Sequence, residues 1–140
     1  MNMKLTVVLC ALISLAGSAF AELEPPGIVV DGLNALWRSG GKAALDVWQR
    51  GSANVNPVSP DGFAEIEKAY GRMLGYETIQ VVPITGSMQR VYMLIKYERG
   101  PAFASFDCYK PEANWIIALM NYGVKPGAVL PERMLAGRGK

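Results

Sequence analysis

Between residues 76 and 122, four runs rich in β-branched and aromatic residues follow one another with only short gaps. Tyr76 to Ile84 is the first, and Thr85-Gly86-Ser87 turns the chain. Met88 to Glu98 is the second. It sets Val91, Met93, Ile95 and Tyr97 at period two against Arg90, Tyr92, Leu94, Lys96 and Glu98. Arg99-Gly100-Pro101 leads into the third, Ala102 to Lys110. Lys110 to Asn114 is a loop, and Trp115 to Tyr122 is the fourth. A parallel return needs a crossover of about a dozen residues, and no gap here has room for one. The runs therefore predict a four-stranded antiparallel meander, one face of which must be covered.

The residues before this region supply the cover. Ile28 to Arg38 places Leu33, Leu36 and Trp37 at helical spacing, and Ser39-Gly40-Gly41 interrupts it. Lys42 to Gln49 resumes with Ala44, Val47 and Trp48 on one side. A loop rich in Asn and Pro follows, from Ala53 to Ser59. Ser59-Pro60-Asp61 is a helix start: an N-cap, a proline at the first helical position and an acid at the positive dipole end. The helix it opens lines up Phe63, Ile66, Tyr70, Met73 and Leu74, with Gly75 as its stop and Gly71 weakening the last turn. The fold class is α+β, with N-terminal helices packed on a curved four-stranded antiparallel meander sheet.

Met1 to Ala21 has the form of a secretory signal peptide: Lys4, then the charge-free stretch Leu5 to Ala16, then the small-x-small pattern Ala19-Phe20-Ala21. The stretch is shorter than the roughly 20 residues a membrane-spanning helix needs. Cleavage is expected after Ala21, which gives an exported chain, periplasmic in a Gram-negative host or otherwise secreted, with no stable membrane anchor. Residues 22–27 then form a linker, 28–123 one α+β domain, and 124–140 a C-terminal extension with a loose tip. The segment removed carries Cys10 and leaves Cys108 alone, which excludes an intrachain disulfide and reads as a buried small hydrophobe.

Composition then narrows the chemistry. The chain contains no His, so triads built on His and His metal sites are absent, and with one remaining Cys a zinc site lacks ligands. Lys and Arg number 14 against 12 acidic residues, a net charge of +2, which argues against nucleic acid as partner. No phosphate-binding glycine loop occurs, and no cofactor is expected. Asp107 stands in a largely apolar run, Phe103 to Tyr109. A carboxyl there serves as a base of raised pKa, points to solvent, or pairs with Arg90 on the neighbouring strand. Tyr92 and Tyr109 are the tyrosines placed to act as acid beside it. Trp48 and Trp115, with Arg90, are candidate binding residues, and core packing is the competing reading for both tryptophans.

Helices followed by a long-stranded meander resemble the NTF2-like (cystatin-like) superfamily, and more narrowly its small exported bacterial members. The residues that carry the resemblance are Gly41-Lys42-Ala43-Ala44-Leu45-Asp46-Val47-Trp48, Tyr70-Gly71, Gly100-Pro101-Ala102-Phe103 and Asn114-Trp115. NTF2-like cones often carry a strand between their helices. None is read here, so a cystatin-like truncation stays open. The resemblance implies a pocket between helices and sheet. Three functions then compete: a non-catalytic exported domain that binds a small apolar ligand or a partner protein, a ketosteroid-isomerase-like or dehydratase-like enzyme using Asp107 with a tyrosine, and a structural homodimer of apposed sheets.

Overall fold

The computed structural model describes residues 23–53 and 59–136. The signal segment, its cleavage site at Ala21 and Cys10 lie outside the described residues, as do most of the Asn- and Pro-rich loop and the last four residues. Three helices come first: α1 (Gly27–Ser39), α2 (Gly41–Trp48) and α3 (Pro60–Tyr70). Four strands follow: β1 (Met73–Thr85), β2 (Met88–Tyr97), β3 (Gly100–Tyr109) and β4 (Ile116–Gly123). They form one open antiparallel sheet in the order β1-β2-β3-β4. Two single-turn helices close the described chain, α4 (Pro126–Val129) and α5 (Glu132–Leu135).

One helix boundary differs from the sequence reading. The helical stripe of α3 runs on through Met73 and Leu74, yet the helix ends at Tyr70 and both residues belong to β1. Gly71 stops it by taking φ +87°, a left-handed conformation that glycine adopts at little cost, while its N–H donates to Glu67 O at 2.8 Å. Met73 then pairs with Tyr97 and still turns into the core, while Leu74, next to it on the strand, is exposed. At the other end of α3, Ser59 caps as expected, its hydroxyl accepting from Gly62 N.

The core lies between the helices and one sheet face. Val29 and Leu33 of α1, Ala44, Leu45 and Trp48 of α2, and Phe63 of α3 meet Val91, Met93 and Ile95 of β2 and Ala104, Phe106 and Cys108 of β3. Trp48 is the hub, its ring 5.2 Å from Phe106 and 6.0 Å from Phe63 between centroids. Its indole N–H donates to Val29 O at 3.3 Å, which satisfies its one polar atom. The indole fits because residue 32 is glycine: a Cβ there would lie 1.9 Å from Trp48 Nε1. Tyr97 and Tyr122 complete this side with a 2.6 Å hydroxyl–hydroxyl contact, and Tyr122 packs on Phe63 at 4.6 Å. Burial pushes both phenols above their ordinary range.

Period-two alternation sends the other side chains of β2, β3 and β4 to the outer face. Arg90, Asp107 and Leu119 share one row across these strands, and Tyr92, Ser105 and Asn121 share the next. β4 stays in step only after an irregularity opposite Asp107 and Cys108. Helix α4 packs against β3 and β4, and Leu130, just beyond it, is buried.

Candidate functional site

Between helices and sheet, core side chains pack together, Trp48, Phe63 and Phe106 among them. A cleft of about 120 Å³ lies on the outer face. Arg90 and Tyr92 of β2, Ser105 and Asp107 of β3, and Leu119 and Asn121 of β4 line it, with Val129 of α4 forming a wall. Its floor is polar where a sheet face that needed only stability would be apolar or open. Ser105 and Asp107 are the buried polar residues among those described.

Asp107 is committed at both oxygens. Arg90 Nε donates to Oδ1 at 2.5 Å and Arg90 Nη2 to Oδ2 at 2.9 Å, a bidentate fork across neighbouring strands. The carboxylate, helped by the Tyr92 hydroxyl, raises the Arg90 pKa further above its ordinary range. Of the readings of Asp107, the cross-strand pair is the one the geometry shows. The Asp side chain keeps 12% of its surface exposed and the Arg 43%, so the pair lies half in the sheet and half in the cleft.

The remaining candidates separate. Tyr92 is buried and shares the cleft with Asp107. Tyr109 lies on the same face but outside the cleft, 43% exposed, in register with Met88 and Ile116. Trp48 belongs to the core on the opposite face and reaches no part of the cleft. Trp115 is half-buried against the core and has Lys110 Nζ 5.1 Å from its ring centroid. Cys108 is fully buried, and that burial, with the Asp107 charge second, pushes its thiol up to about 12.

Sequence reasoning overlooked Ser105, Leu119, Asn121 and Val129. Ser105 carried a usable signal, since it stands two residues before Asp107 and so shares its face. Among the described residues, no group of three or more His, Cys, Asp or Glu is placed to hold a metal ion. Among the same residues, no helix is long and apolar enough to cross a membrane. Comparison of the chain with family models, with curated proteins and with solved structures finds no match.

Proposed function

We propose that this chain is an exported, non-catalytic domain that binds a small molecule or a segment of a partner protein through the cleft on its outer sheet face. The observation that supports this reading is the cleft itself. It gathers hydrogen-bonding side chains from three strands, yet its one carboxylate is neutralised by Arg90. Such a site offers recognition without a free base. Drug-sized ligands occupy pockets of roughly 300–1,000 Å³. At about 120 Å³, this cleft suits something smaller, or one side chain of a larger partner. The order of helices and meander supports placing the chain beside the NTF2-like cones, as part of the same proposal.

Two measurements test the proposal. The first is ¹⁵N-resolved NMR of the folded chain against a library of fragments. Shifts clustered at the amides of Tyr92, Ser105, Asp107, Asn121 and Val129 are expected. Shifts confined to the helix–sheet interface, or none at any site, would overturn it. The second is N-terminal sequencing of protein recovered from a Gram-negative host expressing the whole reading frame. A mature start at Glu22 is expected, and an intact Met1 in the cytoplasmic fraction would remove the export half of the reading.

A further inference from the structure

We infer that the outer-face cleft takes one hydroxylated ring, a single sugar unit, and recognises it through neighbouring hydroxyl groups. This rests on the cleft being the binding site, and it adds the class of ligand.

Charge is the first argument. Arg90 Nε and Nη2 donate to the two oxygens of Asp107, so the pair presents no net charge to the cleft. An anion entering the cleft meets an arginine already paired, and a cation meets a carboxylate already paired. Separating them for a new ion would leave one charge without its partner. A neutral ligand disturbs neither group.

Hydrogen-bonding capacity is the second. Tyr92, Ser105 and Asn121 stand side by side in one row across β2, β3 and β4. Each can both donate and accept, two through hydroxyls and one through an amide. Asn121 Nδ2 reaches Ser105 Oγ at 3.4 Å, a long contact that a ligand hydroxyl can displace or join. Neighbouring strands lie about 4.8 Å apart, so the row offers such groups at a spacing that hydroxyls around a ring can meet. Carbonyl-only or ammonium ligands would use half of this capacity. Hydroxyl groups use all of it, because they also donate and accept.

Size and wall chemistry are the third. Leu119 and Val129 give the cleft apolar flanks, and Leu119 is 41% exposed. They match the C–H edges of a sugar ring while its hydroxyls face the polar floor. The cleft is open on one side, and about 120 Å³ seats the hydroxyl-bearing edge of one ring, with the rest of the ring outside, and not a chain of them. A free sugar and the terminal unit of a longer glycan share this chemistry.

The experiment is an ¹⁵N NMR titration with D-glucose, D-galactose, D-ribose and N-acetyl-D-glucosamine. Tetrahydropyran serves as a ring without hydroxyls, and sodium acetate and guanidinium chloride as charged probes. At least one sugar is expected to give saturable shifts at Tyr92, Ser105 and Asn121, and tetrahydropyran none. Asn121→Leu, at an exposed position, and Ser105→Val are each expected to weaken that binding about tenfold, the worth of a lost hydrogen bond, with the amide spectrum otherwise preserved. A methyl glycoside and a disaccharide of the responding sugar separate the two sources. Tighter binding of the disaccharide assigns a glycan end, and equal or weaker binding assigns the free sugar. No saturable response to any sugar, an equal response to tetrahydropyran, or saturation by acetate or guanidinium alone would overturn the inference. If fragments occupy the cleft while every sugar fails, the binding-domain reading stands and only the sugar assignment falls.

Discussion

The two faces of the sheet are cut from the same strands, yet they are built to different rules. Toward the helices, Val91, Met93 and Ile95 alternate inward on β2, and Ala102, Ala104, Phe106 and Cys108 do so on β3, all without exposed surface. Away from them, the same strands present Arg90, Tyr92, Ser105 and Asp107, whose burial comes partly from one another and partly from α4. The first face follows from what stability requires. The second holds a paired charge and a row of polar groups that a sheet seeking only stability would replace with Val or Thr. The contrast locates stability in one layer and, on the function proposed above, recognition in the other.

The sharpest way to break that division is to damage the core. Trp48 touches both Phe63 and Phe106 and is 2% exposed. Trp48→Ala is expected to cost about 3–5 kcal/mol in urea unfolding, the range for truncating a buried aromatic. A loss under about 1 kcal/mol would mean that the helix layer adds little to the sheet and that the contrast is misdrawn.

Alkaline pH strikes the same layer by a different route. Cys108, Tyr97 and Tyr122 all face the helices, and burial raises each pKa in the folded state, the thiol from 9.0 to about 12. A raised value means that the folded chain keeps protons the unfolded chain gives up. The stabilisation is therefore complete below pH 9 and is lost as pH climbs toward 12. Each group contributes up to about 1.4 kcal/mol per pH unit where it alone differs between the two states. Between pH 9 and 10 the thiol dominates, because the unfolded phenols titrate only near 10. Urea midpoints measured from pH 7 to 10.5 should stay flat and then fall, and Cys108→Ala should flatten the stretch between 9 and 10. An unchanged slope in that variant would show that the thiol is more open to water than its burial implies.

Much of this was legible in the sequence, and what was missed has a common cause. Period-two alternation in β2 separates the core residues from the outer ones, and it offered the Arg90–Asp107 pair as one of the readings open for that carboxylate. Gly71 was visible as a weak point in α3, but Met73 and Leu74 extended the helical stripe by coincidence: Met73 is buried from β1, whereas its neighbour Leu74 points away from the core and is 46% exposed. The cleft itself could not be read. Leu119 and Asn121 reach it only through the register of β4, which shifts at an irregularity opposite Asp107 and Cys108. Val129 reaches it from a single turn of helix whose docking is a contact between distant parts of the chain. Spacing along a chain reports neighbours on one element, and pairing between elements is a separate quantity.

The smallest expected effect falls on the outer face and concerns the pair at its centre. Arg90→Met leaves a carboxylate whose side chain is only 12% exposed, whereas Asp107→Leu leaves a guanidinium that already has 43% of its surface in water. The cost of an unpaired charge grows with its burial, so the arginine substitution should be the more damaging of the two. The double variant should recover part of the loss, since it leaves neither charge alone, and the coupling read from the four-way cycle should be about 1 kcal/mol. Half-exposure of Arg90 holds that figure well below the cost of the Trp48 truncation. If the cycle instead returns a coupling as large as the core effect, the outer layer carries stability as well. The polar row beside the pair would then be explained by packing, without any ligand.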